Sequence, residues 1–427
     1  MRPLRERRFR SLWIGQSISY LGDQFHLFAL PWLVLAMTGD PAQLGLILAT
    51  AGVPRAALML VGGVWADRIS PRTIMIIADL ARAVIIGALA ITVALGQAQL
   101  WMVYVLALSF GIVAGFFAPA AQTAVPRLVS DAELESGNGL MMGAQSVAGF
   151  AGPALAGSML AMLGVMAPIP SAATWLGLGI AFGIDAVSFL ASAFFLVFVG
   201  RLPGLAGTAA SASRDLADGL RYVVRNPVIR TMVVLIGTAN LLAIGPFAVG
   251  IPTLAATHFS PATVALAALT GAAAVGNVVG MVLGATLPRP NPRGLTVATG
   301  AVFALFAVSF TVLATTDSLP LAVGGLALAG VLNGYLALIV MTTLQRCTQK
   351  AYLGRVMSVV TLSMVGLGPI SQVIAGPLAA RSTSLLFGVA AAGLLALGVF
   401  ALTRGEAFAL VGQPEGLVEP AEDLVAS

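Results

Sequence analysis

Residues 62–72 read Gly62-Gly63-Val64-Trp65-Ala66-Asp67-Arg68-Ile69-Ser70-Pro71-Arg72, a glycine pair, one acid and two arginines set between two long apolar segments. Only 9% of the chain is charged, so a turn that gathers this many charges has a use beyond composition. Glycines let two helices approach closely. An acid flanked by cations at a helix mouth can latch onto a neighbouring helix end or release it. Gly63, Asp67, Arg68 and Arg72 are therefore candidate gating residues.

The flanks of this turn extend into a chain built for lipid. Of its 427 residues 59% are hydrophobic and the mean hydropathy is +0.98, too apolar to cover a soluble surface. Each run of about 20 apolar residues can cross roughly 30 Å of hydrocarbon. Twelve such runs are read, at roughly 11–37, 42–66, 73–95, 99–125, 136–163, 172–199, 229–255, 261–287, 294–315, 319–345, 352–379 and 384–403. Strand-like alternation is absent, which argues against a β-barrel. The expected fold is an all-α membrane protein of twelve transmembrane helices in two pseudo-symmetric six-helix bundles.

A net charge of +5 raises the question of nucleic acid, but the placement of the charge answers it. Arg2, Arg5, Arg7, Arg8 and Arg10 precede the first span, Arg68 and Arg72 follow the second, and Arg127 follows the fourth. Arg201, Arg214, Arg221 and Arg225 fill the central connection; Arg289, Arg293, Arg346, Lys350, Arg355 and Arg404 continue the alternation. The opposite connections hold almost nothing cationic except Arg381. This is the positive-inside pattern, and it predicts a multi-pass membrane protein with both termini in the cytoplasm. The first span reads as an uncleaved anchor. Cys347 is the sole cysteine, which excludes an intrachain disulfide, and His26 and His258 are far apart, so neither a metal site nor a cofactor is expected.

The longest polar break divides the spans six and six. The expected organisation is an N-terminal bundle over 1–200, a cytoplasmic linker over 201–228, a C-terminal bundle over 229–403 and a disordered acidic tail over 404–427. Within the linker, Leu216, Leu220, Val223 and Val224 oppose Arg214, Asp218, Arg221 and Arg225, the pattern of an amphipathic helix on the inner membrane surface. The halves look like distant copies: Gly152-Pro153 and Gly368-Pro369 stand 216 positions apart. Parallel six-span repeats set the substrate site near the midplane between two lobes.

Ionisable residues within the membrane are costly, so each is a functional candidate. Asp23 and Asp185 fall near mid-depth with no cation beside them in sequence, and His26 lies one turn from Asp23. A carboxylate in a low-dielectric cavity can load and release a proton as access alternates, and a histidine can shuttle one; a fixed clamp by Arg55 or Arg82, or a hydrogen-bonded lining histidine, is the alternative. Asp79 and Arg82 are three apart on one helix and can pair. Arg55 is the odd cation, in need of a carboxylate or an anionic substrate. The second half offers only uncharged polar groups such as Asn240, Asn277, Asn333 and Gln372. Phe25, Trp32, Phe247 and Asn240 are expected to line the substrate cavity. Gly149, Gly152, Pro153 and Gly157 form a helix-breaking motif in span five, where proline removes a backbone hydrogen bond and glycines permit tight packing.

Residues 62–72 resemble the signature loop after the second helix of major facilitator superfamily transporters. The span-five motif resembles one associated with antiporters of that superfamily, with Ala156-Gly157 in place of its final paired glycines. Further stretches carry the likeness: Leu21-Gly22-Asp23, Ala29-Leu30-Pro31-Trp32, Ala78-Asp79-Leu80-Ala81-Arg82, Phe116-Phe117-Ala118-Pro119-Ala120, Gly219-Leu220-Arg221-Tyr222 and Gly354-Arg355-Val356-Met357-Ser358. Together they look like the bacterial drug:proton antiporter group related to macrolide and siderophore exporters. The resemblance implies that Asp67 clasps the segment near Gly354–Ser358, with Arg127 or Arg68 as partners, and stabilises the outward-open state. The chain departs from the pattern in lacking a buried arginine in span four and in carrying Arg55 where an apolar residue is usual.

The implied activity is export of an amphipathic small molecule, a drug or siderophore, in exchange for protons, by a protein able to work as a monomer. Lipid or lysolipid flipping, with Arg55 meeting a phosphate, is the alternative within transport; a non-transporting membrane receptor is the alternative outside it. No nucleophile–base pair or nucleotide loop suggests an enzyme.

Overall fold

In a computed structural model the chain folds into twelve long helices in two groups of six, with one shorter helix between them. The structure describes residues 3–68, 70–130, 133–165, 171–200, 202, 210–287, 291–349 and 352–405, and side chains at all of these except 60–68, 135, 210–217, 292–293, 346 and 353–354. The N-terminal bundle comprises α1 (Arg7–Thr38), α2 (Pro41–Arg68), α3 (Pro71–Ala94), α4 (Leu100–Ala124), α5 (Leu134–Met162) and α6 (Ala172–Val197). Helix α7 (Ala210–Arg225) leads to the C-terminal bundle: α8 (Pro227–Gly245) continued by α9 (Ile251–His258), then α10 (Ala262–Thr286), α11 (Pro292–Thr315), α12 (Leu319–Cys347), α13 (Leu353–Arg381) and α14 (Thr383–Thr403). No strand occurs among the described residues.

Among the described residues ten spans are long and apolar enough to cross a membrane. The other two long helices, α1 and α5, carry more polar residues, among them Gln16, Asp23, Gln24 and His26 in α1 and Asn138, Gln145 and Ser146 in α5. The helices start where the sequence gives them a cap. Asn226 accepts from the Ile229 N–H at 3.0 Å and Asn291 from the Gly294 N–H at 2.6 Å, each just before a proline at the first helical position. Ser171 and Thr174 form a reciprocal capping box at the start of α6.

Helix α8 passes into α9 through one π-helical turn, Pro246–Gly250. Its cause is a side chain inserted into the helical ladder: the Gly245 N–H donates to Ser371 Oγ at 2.7 Å, and that hydroxyl donates to the Leu241 carbonyl at 2.6 Å. Ser371 thereby ties α13 to α8.

Within each bundle small residues bring helices into backbone contact. A β-carbon at Gly276, Gly280, Gly330 or Gly334 would strike a carbonyl of the facing helix in the α10–α12 pair. Between bundles, the contacts lie on the half remote from the arginine-bearing ends. Gly45 meets the Gln372 carbonyl, Gly52 meets Pro369, Gly376 meets Ala42, and Gly157 of α5 meets Ala267 of α10. On the arginine-bearing half a cavity of about 820 Å³ opens between α1 and α5, walled by Trp13, Ser17, Leu21, Gly139, Gly143 and Val147. Among the described residues the bundles thus close on the face remote from the arginines.

Helix α7 packs on the start of α13. Tyr222 stacks on Tyr352 with ring centres 4.7 Å apart and planes 13° from parallel, Asp218 lies 3.6 Å from Arg355, and a β-carbon at Gly219 would meet the Arg355 backbone. Val223 is buried, whereas Leu220 and Val224 are exposed, so the helix divides its apolar residues between the bundle and its outer surface. The expected tail beyond residue 405 lies outside the described residues.

Candidate functional site in the N-terminal bundle

The charged residues of the spanning helices converge in the first bundle, where α1, α2, α3 and α6 meet. Arg82 donates to Asp79 one turn back on α3, and both side chains are buried. The guanidinium is held between two aromatic rings, 3.9 Å from the Phe117 centroid and 4.4 Å from that of Phe189. Away from water such cation–π contacts are worth about 2 kcal/mol or more, so this cation has a fixed seat.

Asp185 is fully buried on α6, and its Oδ2 lies 3.8 Å from Nδ1 of His26 on α1. Neither atom has a hydrogen-bond partner among the described residues. The imidazole stacks on Phe110 with centroids 5.2 Å apart and meets Phe182 edge-on at 5.7 Å. Two small residues create this approach. A β-carbon on Gly22 would collide with Ser188, so only glycine lets α1 lie this close to α6. Ser188 in turn donates to the Asp185 backbone carbonyl at 2.8 Å. One turn toward the arginine-bearing face, Gln16 Nε2 donates to Ser192 Oγ at 3.2 Å, continuing the polar seam.

Asp23 is half-buried between these pairs. It makes no hydrogen bond or ion pair among the described residues, and the charges that act on it are Arg82, Asp79 and Arg55. Arg55 likewise makes no hydrogen bond or ion pair among the described residues, and it is exposed. Asp23, Asp79 and Asp185 outnumber Arg55 and Arg82 by one, so with all five ionised and His26 neutral the group carries one formal negative charge in excess. Among the described residues no cluster of metal-ligating side chains is found.

The other candidates are dispersed. Side chains at Gly63, Asp67 and Arg68 lie outside the described residues, as does any clasp that they make. Arg72 donates from Nε to the Leu196 carbonyl at 2.9 Å and from Nη2 to the Val197 carbonyl at 3.0 Å; it caps the end of α6, where a cation is favoured. Arg127 closes the short 3-10 turn after α4 and is half-buried. In α5, Pro153 sits inside the helix, Gly152 receives the Gln24 side chain of α1, and Gly157 seats the second bundle; Gly149 faces open space.

The four expected cavity residues are not brought together. Phe25 is in the core. Trp32 lines a separate cavity of about 180 Å³ with Thr174 and Thr253, at the closed face. Phe247 packs on Phe310 with centroids 5.9 Å apart. Asn240 alone lines a cavity inside the second bundle, about 120 Å³ in volume, facing Asn333. The pairing of His26 with Asp185 was beyond sequence reasoning because nothing local links residues on two separate helices; Gly22 was the available clue.

Known proteins agree with this architecture. The chain is 29% identical over 366 residues to the multidrug efflux pump Tap of Mycobacterium tuberculosis, covering 84% of this chain and 83% of that protein. It is 25% identical over 398 residues to the enterobactin exporter EntS of Escherichia coli, covering 92% and 91%. Among solved structures, a bacterial homologue of the iron transporter ferroportin superposes with a TM-score of 0.69 over 93% of this chain and 98% of that one, at 19% identity. The family model of the Major Facilitator Superfamily matches residues 12–371, and this multi-pass membrane chain belongs to that superfamily of transporters.

Proposed function

We propose that the protein exports an amphipathic small organic molecule across the bacterial inner membrane in exchange for a proton, with both termini in the cytoplasm. The observation that carries this reading is the unbalanced charge of the N-terminal cluster. A buried net charge is expensive, and one proton shared by Asp23, Asp185 and His26 removes it. When the bundle opens to the other face, a change in the solvation of Asp23 releases that proton. The efflux names of Tap and EntS support the outward direction of substrate movement.

In this reading the bundles at 1–200 and 229–403 rock about their seam, joined by the linker at 201–228. Asp67 gates the arginine-rich face together with Arg68, Arg72 and Arg127, and Gly152, Pro153 and Gly157 let α5 bend as it rolls over α10. The protein acts as a monomer, since each bundle supplies one half of the pathway.

The test is transport by proteoliposomes carrying purified protein and a lumenal pH dye. An imposed pH gradient should drive flux of a hydrophobic dye, with lumenal pH changing in step; flux independent of the gradient contradicts the reading. A second reading is favoured by one observation only: Arg55 is exposed and unbonded among the described residues, a fit for an anionic lipid headgroup. Translocation of fluorescent phospholipid unaffected by Arg55→Gln removes it.

A further inference from the structure

We infer that the C-terminal bundle holds the specificity pocket for the transported molecule: a recess for one apolar ring, with Asn240 and Asn333 offering hydrogen bonds to an uncharged polar group beside that ring. The inference rests on the exporter reading and assigns its substrate class.

The cavity lies among α8, α11, α12, α13 and α14 and measures about 120 Å³. An apolar cavity of about 150 Å³ accommodates benzene, so this one takes a single ring while the remainder of the molecule stays outside it. A further void of about 20 Å³ lies behind Phe303 and Leu336, enough for a small substituent.

The mouth opens among exposed residues. Asn333 and Ala337 of α12 are exposed, and so are Thr361 and Met364 of α13. At 100° per residue, Thr361 lies on the side of α13 that farther along carries Pro369, Gln372 and Gly376 against α2, whereas Met364 lies on the side that carries Ser371 and Ala375 against α8.

The recess persists because its back wall is braced. Phe306 meets Phe310 edge-on with centroids 5.3 Å apart, and Phe310 meets Phe387 in the same way at 5.7 Å. Phe310 and Phe387 are fully buried. Rings locked in this manner cannot swing forward to fill the space. The front is adaptable instead: Met341 and Met364 are unbranched and can conform to rings of different outline.

The chemistry of the lining selects against charge. Among the described residues no Asp, Glu, Lys, Arg or His lines the cavity, so an ion entering it would lose water and meet no counterion among them. The two carboxamides have unused capacity. Asn240 donates to the Ile236 carbonyl at 3.0 Å, which leaves its own oxygen free to accept. Asn333 makes no hydrogen bond among the described residues and offers both donor and acceptor. An aromatic or alicyclic ring bearing an amide, alcohol or ether meets both demands. The titratable machinery and the specificity pocket then occupy different bundles.

The experiment measures equilibrium binding of tritiated chloramphenicol, an uncharged aromatic amide, to the full-length protein in nanodiscs. Asn240→Leu with Asn333→Leu should weaken binding about tenfold, and Ala337→Trp, which plugs the mouth from an exposed position, should abolish it. Asn333→Asp supplies a gain that misfolding cannot mimic: binding of the cation tetraphenylphosphonium should strengthen about tenfold. Absence of chloramphenicol binding by the wild type, or wild-type binding in both loss variants with no gain in Asn333→Asp, overturns the inference. Proteoliposomes that bind chloramphenicol in a manner sensitive to Ala337→Trp, yet show no gradient-driven flux, overturn the exporter reading and leave the pocket standing.

Discussion

Nδ1 of His26 and Oδ2 of Asp185 face each other across 3.8 Å in the core of the first bundle, and neither has a hydrogen-bond partner among the described residues. A gap of that size between a possible donor and acceptor is longer than a hydrogen bond and short enough for a small helix movement to close. Unpaired buried polar atoms are costly, and the proposed exporter cycle relieves that cost in a second state in which they are used. Asp185→Asn removes the charge and keeps the shape. The expected outcome is loss of gradient-driven transport with substrate counterflow retained, since counterflow needs no net proton movement. Parallel flux assays check it.

The ion pair of Asp79 with Arg82 has a different character, because the guanidinium is clamped by Phe117 and Phe189. Arg82→Ala leaves a carboxylate buried without its cation and should cost about 3–5 kcal/mol. Adding Asp79→Asn removes the orphaned charge and should recover part of the loss. Thermal unfolding of the single and double variants in detergent measures both effects.

Closure of the face remote from the arginines depends on Gly45 lying against the Gln372 carbonyl. Gly45→Leu introduces a side chain where two backbones touch, so the closed seam should open and the conformational balance should shift. In a Cys347→Ser background, a cysteine replacing Gln372 should be protected from an impermeant maleimide with Gly45 present and labelled with leucine there. Labelling rates in intact cells report the outcome.

Helix α7 is held to α13 by the Tyr222–Tyr352 stack. Burial, ahead of its other surroundings, raises the Tyr222 phenol above its ordinary value of 10.0. The folded state therefore keeps the proton longer than the unfolded one. The resulting stabilisation is complete below pH 10 and is lost as pH rises through the raised value. Limited proteolysis of the linker should accelerate at strongly alkaline pH in the wild type, and at neutral pH in Gly219→Leu, which pushes α7 off the Arg355 backbone.

Ten of the twelve spans read from the sequence are long and apolar enough to cross among the described residues, legible because the bilayer fixes how long an apolar run must be; α8–α9 at Pro227–His258 matches the run read at 229–255, while α1 and α5 are long helices that fall short in apolarity. The Asp79–Arg82 pair was legible because three residues of spacing is itself a distance on a helix. The approach of His26 to Asp185 was not, since it depends on Gly22 admitting α6, a packing event between remote segments. Phe25, Trp32 and Phe247 read as cavity residues because they are large and apolar, yet such residues are equally suited to a core or a brace. Asn333 stood out as polar in an apolar run, but its partner Asn240 lies on another helix, and only the fold sets the two around one recess.

The most direct test of the central claim counts protons. Chloramphenicol should be added to purified protein in weakly buffered detergent solution while pH is recorded. The account predicts release of about one proton per protein molecule, the number that balances the N-terminal cluster, and none from the Asp23→Asn, Asp185→Asn double variant. Equal release from that variant and the wild type, or no release from the wild type despite binding, would contradict it.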